Sequence, residues 1–190
     1  MNILAFPRES IAPFIQAQHL PFTQDLIPQA SVYAPRSQLE DDPAFVQLIA
    51  YAILRHRGGS VWAYQRTSGD SRLHGRKSTG VGGHVDEADD LGDVIQTARA
   101  ALIRELAEEL QVPPPSVPEQ PLGWINEQDS AVGRVHLGLV WDIQWPDGRD
   151  PLPAQGEALV SIGFLPSTQI TQANGFELWS ELALRLTQQR

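Results

Sequence analysis

The chain has 190 residues, with 14 Lys and Arg against 23 Asp and Glu, a formal net charge of −9, 42% hydrophobic residues and no Cys. That size fits one soluble globular domain, or a domain with an arm, and the apolar fraction excludes wholesale disorder. Without Cys there is no disulfide framework, no cysteine nucleophile and no thiolate metal site. No run approaches the ~18 apolar residues of a membrane span, so a cytoplasmic protein without a membrane partner is expected. The acidic balance also argues against duplex nucleic acid as a partner, because duplex binding relies on a basic face that releases counterions.

Residues 1–43 carry prolines at 7, 13, 21, 28, 35 and 43. Prolines this frequent break any long element, so the segment reads as an irregular arm, with room for a short strand or helix, packed on a domain spanning 44–190. FVQLIAYAILRH (45–56) is a nearly continuous apolar run, Arg57-Gly58-Gly59 is a turn, and SVWAYQRT (60–67) alternates inward and outward residues. Together they predict a hairpin. A polar loop over 68–77 follows, then STGVGGHV (78–85) as a short strand ending in Gly82-Gly83, where glycine permits close backbone approach.

After an acidic loop, the pattern predicts a helix over 91–111, stopped by Pro113, Pro114 and Pro115. Strands are then expected at WINEQ (124–128), 132–145 and 158–166, and an amphipathic helix over 177–189. Strands interleaved with helices give a mixed α/β layout with the sheet between helices.

The long helix holds Arg104-Glu105-Leu106-Ala107-Glu108-Glu109. At ~100° per residue, Glu105, Glu108 and Glu109 share one face and Leu102, Leu106 and Leu110 the adjoining one. Like charges at i, i+3 and i+4 repel by a few tenths of a kcal/mol per pair, whereas a hard divalent cation bound by carboxylates converts that repulsion into a site. The plainer reading is an ordinary charged face with Arg104 paired to Glu108. A basic cluster of Arg66, Arg72, Arg76 and Lys77 lies just upstream of the Gly-Gly strand and supplies candidate phosphate donors.

These residues resemble the signature of the Nudix hydrolase family, G-x5-E-x7-R-E-U-x-E-E-x-G-U, with U a bulky apolar residue. Arg104, Glu105, Leu106, Glu108, Glu109 and Val112 match it. Gly83 resembles the first glycine, with about seven extra residues before the helix. The isolated Glu of the motif falls on Gln96 and the late Gly on Gln111; Glu87, Asp89 and Asp90 are candidates to replace the lost carboxylate. The segments 71–85, 125–141 and 176–182 are similar to a MutT-like subgroup of predicted phosphoesterases.

The resemblance implies a Nudix α/β/α sandwich and Mg²⁺-dependent hydrolysis, Mn²⁺ substituting, of a phosphoanhydride in a nucleoside diphosphate linked to another moiety X. It implies metal ligation by Gly83, Glu105, Glu108 and Glu109. Arg104 would orient Glu105 or Glu108, and Glu127 is a candidate general base. His84 and His136 are expected to be structural. Among the aromatics, Trp145 is expected at the surface and Trp141 in the core. The alternative is a Nudix-fold ligand sensor or interaction domain without catalysis, motivated by Gln96. The partner expected is a small nucleotide-type molecule, and two exposed amphipathic elements are compatible with a homodimer.

Overall fold

The computed structural model describes residues 1–67, 75–112, 116–146 and 148–188. In chain order its strands are β1 (Asn2–Pro7), β2 (His19–Pro21), β3 (Val32–Pro35), β4 (Phe45–Arg55), β5 (Val61–Arg66), β6 (Lys77–Ser78), β7 (Gly80–His84), β8 (Gly123–Ile125), β9 (His136–Gln144) and β10 (Leu159–Leu165). The α-helices are α1 (Ala12–Gln16), α2 (Arg36–Leu39), α3 (Val94–Glu109) and α4 (Leu178–Thr187). All ten of these strands join one mixed sheet, whose main path runs β10-β5-β4-β9-β8-β2.

The apolar run of β4 is continuous because both of its faces are covered. Its residues Leu48, Ala50, Ala52 and Leu54 enter a core with Ala98, Ala101, Leu102 and Leu106 of α3. The alternate residues Tyr51 and Ile53 face Leu182, Ala183, Leu184 and Leu186 of α4. Side chains of a strand alternate between faces, so one segment serves two cores and the sheet lies between the helices, as an α/β/α sandwich requires.

Four sequence expectations change. The β4–β5 hairpin parts immediately beyond its turn, with Arg55↔Val61 as the register pair. β4 instead pairs antiparallel with β7 and parallel with β9 over nine positions, while β5 turns to β10. Gly82 and Gly83 lie inside β7, not at its end. A Cβ on Gly82, at φ 143°, would sit 2.0 Å from the Ala50 carbonyl oxygen, so only glycine lets these strands pair.

The first 43 residues are also more regular than their prolines suggest. Ile3, Leu4, Ala5 and Phe6 of β1 are buried, and β1 pairs with both β3 and β4. Prolines fall at strand ends and at a helix start, where they cost least. Finally, α3 is shorter than expected at both ends. Asp93 caps its start by accepting from the Gln96 amide at 2.9 Å. At its end Leu110 turns extended and bridges to Pro153, with Ala154 donating to the Glu109 carbonyl, so a loop closes the helix before the prolines. Among the described residues no helix is long and apolar enough to cross a membrane.

Candidate active site

A cavity of about 610 Å³ opens where α3, β7, β5, β4 and the start of α4 meet. Glu105, Glu109, Gly82, Gly83, Arg66 and Arg76 line one part, and Ile49, Tyr51, Leu178 and Trp179 another.

The helical face bearing the three acids splits. Glu105 and Glu109, one turn apart, face the cavity, while Glu108 has a side chain 57% exposed and accepts from Arg104 at 3.4 Å. Gly83 sits directly against Glu105: a Cβ there would lie 2.5 Å from the carboxyl carbon. The sheet and α3 therefore meet with no side chain between backbone and carboxylate.

Arg104 is the organiser of this junction. It donates to both oxygens of Asp89 (3.1 and 2.8 Å), to Glu105 at 2.7 Å and to the His84 carbonyl at 3.1 Å. Asp89 thus gives Arg104 a carboxylate partner, while Gln96 is exposed in the first turn of α3. Of the acidic loop residues, Glu87 accepts from Asn2 and Asp90 from the Gly92 amide.

Burial pushes the Glu105 carboxyl up, against the opposing pull of Arg104. Burial likewise raises Glu109 to about 7, with Arg66 pulling it down and Glu105 adding to the rise. One oxygen of Glu109, Oε2, is buried with no hydrogen-bond partner among the described residues. The same holds for Nε of Arg66, whose guanidinium donates through Nη2 to the Tyr64 hydroxyl at 2.9 Å. The Tyr64 phenolic oxygen first, then the carboxylates of Glu177 and Glu109, raise Arg66 against the opposing pull of burial.

A hard divalent cation suits this corner. Its donors are all oxygen, and the unpartnered Oε2 of Glu109 is a vacant donor whose charge is disfavoured by burial. Among the described residues no three acidic or histidine side chains already converge on one point. Arg104 holds Glu105 and Glu108 to itself.

The remaining candidates divide. Arg66 and Arg76 line the cavity. Lys77 does not: its Nζ donates to the Asn174 carbonyl at 3.0 Å and lies 5.7 Å from the Phe176 ring centroid, so it ties β6 to the segment before α4. Arg72 lies outside the described residues. Glu127 is buried and lines the cavity, yet its carboxylate accepts from the Asp129 and Ser130 amides at 2.7 and 2.9 Å and from the Ser130 hydroxyl. That arrangement builds the loop after β8 and occupies both oxygens. A Cβ on Gly133 would strike the Glu127 carboxylate, so glycine is needed there.

His84 and His136 form a pair at 3.3 Å, with His84 also on Gln47 at 2.9 Å and His136 donating to the Val132 carbonyl at 2.7 Å. Burial, then His136 and Arg36, push His84 down to about 3, so it is neutral. Trp62, Trp124 and Trp141 are core. Trp145 is also buried, contrary to expectation, because its indole N–H reaches the Arg149 carbonyl at 2.8 Å. Trp179 is the tryptophan at the cavity, edge-on to Tyr51 at 5.7 Å.

Sequence reasoning missed Glu177, which caps α4 and lines the cavity. Its Oε1 accepts from the Ser78 hydroxyl at 2.5 Å and the Tyr51 hydroxyl at 3.2 Å. The signal available was a carboxylate beside the first residue of an amphipathic helix, which is common enough to carry no function by itself.

No family model matches the chain. It is 30% identical over 155 residues to YmaB of Bacillus subtilis (strain 168), covering 78% of this chain and 74% of that protein. The fold is similar to the crystal structure of Tm1382, a candidate Nudix hydrolase, at a TM-score of 0.76 with 22% identity and all of both chains covered. It is also similar to a MutT protein from Methanosarcina mazei Go1 at TM-score 0.57, with 17% identity over 76% of this chain and 94% of that one. The Nudix domain of Shewanella oneidensis NrtR, solved with ADP ribose, gives TM-score 0.57 and 17% identity over 76% and 88%. At that identity and coverage the chain belongs to one family with YmaB, and its fold is that of the Nudix hydrolases.

Proposed function

We propose that the protein hydrolyses a phosphoanhydride bond in a nucleoside diphosphate linked to a second moiety, with Mg²⁺, or Mn²⁺ in its place. One observation carries this reading. Among the described residues, and within a single cavity, a buried Arg66 N–H lacks an acceptor and a buried Glu109 oxygen lacks a donor. A ligand that satisfies both brings an anion and a cation together, as a metal-bound diphosphate does.

In this reading Glu105 and Glu109 hold the ion, with the Gly83 backbone beside them and Glu108 as the further acid of the set. A bound divalent ion screens the phosphate oxygens, polarises phosphorus and acidifies water. Arg66 and Arg76 donate to non-bridging oxygens, where fixed donors stabilise the charge that develops. Arg104 is a positioning residue: its fork onto Asp89 fixes the guanidinium that orients Glu105. The apolar wall of Ile49, Tyr51, Leu178 and Trp179 receives the uncharged part of the ligand, Trp179 offering a ring for stacking.

The test is a panel of nucleotide sugars, dinucleoside polyphosphates, NAD-type cofactors and nucleoside triphosphates, incubated in Mg²⁺ or Mn²⁺ and resolved chromatographically. At least one member should yield a nucleoside monophosphate and a second phosphorylated product. A second reading, binding without turnover, is favoured by the pairing of Glu105 and Glu108 with Arg104. It replaces the first if one member binds tightly and none is cleaved.

A further inference from the structure

We infer that Glu177 is the general base of this reaction, an inference that rests on the hydrolase reading above.

Among the described residues five acidic ones line the cavity: Glu105, Glu109, Glu127, Asp129 and Glu177. Each but the last is committed or poorly held. Glu105 is taken by Arg104 at 2.7 Å. Glu109 faces Arg66 and belongs to the proposed ion site. Glu127 has both oxygens bound within its own loop. Asp129 is exposed on a bend.

Glu177 is held differently. Its backbone N–H donates to the Lys77 carbonyl at 3.0 Å, and Oε1 is clamped by the hydroxyls of Ser78 and Tyr51. Among the described residues Oε2 takes no hydrogen bond. A carboxylate fixed through one oxygen, with the other available to a water, has the geometry a general base needs. The charged and titratable groups that interact with it are Tyr51 on β4 and Tyr64 and Arg66 on β5. Arg66 interacts with Glu177 and Glu109 alike, so a diphosphate oxygen on Arg66 lies within the field of both.

Oε2 of Glu177 takes a proton from water as the water oxygen bonds to one phosphorus. The bridging P–O bond breaks, and its electron pair leaves on the departing phosphate. The proton on Glu177 then passes to solvent, restoring the carboxylate.

The test uses the full chain and whichever panel member it cleaves. Glu177→Gln keeps an acceptor for Ser78 and Tyr51, so the clamp survives while the base is lost. The expected result is a fall in kcat of about 10² or more, with KM within about threefold and Mn²⁺ binding unchanged. Glu177→Asp should recover part of the lost kcat. A kcat for Glu177→Gln within about fivefold of wild type, or a lower kcat accompanied by lost Mn²⁺ binding, overturns the inference. Should Glu177→Gln fail to fold, Ser78→Ala and Tyr51→Phe each loosen one side of the clamp. A kcat drop of about 3- to 10-fold with Mn²⁺ binding retained then supports it, and unchanged kcat in both overturns it. If wild type cleaves nothing, the hydrolase reading itself falls and this inference with it; cleavage by wild type with an unimpaired Glu177→Gln sinks the base alone.

Discussion

Glu109→Gln should stabilise the metal-free protein at alkaline pH and destabilise it at acid pH. The folded state raises this carboxyl from 4.5 to about 7, with burial as the largest cause. A raised carboxyl binds its proton more tightly folded than unfolded, so its contribution is most favourable below pH 4.5 and is lost as pH climbs to 7. About 2.5 pH units at about 1.4 kcal/mol each come to roughly 3 kcal/mol. That sum already includes the attraction of Arg66. The amide leaves one unpartnered N–H₂ where Oε2 now has no partner, at a cost of about 1 kcal/mol. The variant therefore gains about 2 kcal/mol at pH 8, roughly 4–8 °C in Tm for a chain this long, and loses about 1 kcal/mol at pH 4. Urea unfolding of both proteins in EDTA from pH 4 to 8.5 reads the difference directly. A variant less stable by the same amount at every pH would refute the assignment of a buried, strained charge to Glu109.

Three further outcomes follow from the same contacts. Asp89→Asn should cost about 1–3 kcal/mol in urea unfolding by removing the charged partner of Arg104, whereas Gln96→Ala, on an exposed face, should stay within about 0.5 kcal/mol. Gly83→Ala forces its new carbon against the Glu105 carboxyl, so it should lower Tm and abolish any Mn²⁺-dependent rise in Tm; a rise equal to wild type would contradict the close approach. Glu127→Gln should destabilise by about 1–3 kcal/mol through its buried loop contacts while leaving the acidic limb of any pH–rate profile in place.

Local pattern carried much of the architecture. The unbroken apolar run of β4 announced a strand, and the Arg104–Glu109 block announced a helix with acids beside its core stripe. What the sequence could not convey was pairing at a distance. The glycine turn after β4 promised a hairpin, but β7 and β9 compete for the same edges, and only through-space packing decides that contest. The prolines of the first 43 residues punctuate short strands whose partners, β3 and β4 for β1 and β8 for β2, lie far along the chain. The site shows the same limit. Periodicity put Glu108 on the face of Glu105 and Glu109, but its side chain is exposed and pairs with Arg104. Asp89 and Glu177 reach the site from a loop and a distant helix cap, so no spacing rule connects them to α3. Trp145 was assigned to the surface because a loop follows it; the Arg149 carbonyl of that loop is what satisfies its buried indole.

The claim beneath the functional account is that Glu105 and Glu109 together hold a divalent ion in the cavity. Mn²⁺ binding followed by electron paramagnetic resonance tests it without recourse to substrate. Wild type should bind Mn²⁺ saturably, Mg²⁺ should compete, and Glu105→Gln with Glu109→Gln in one chain should abolish the binding while the protein remains folded. Equal Mn²⁺ binding by wild type and that double variant would contradict the account.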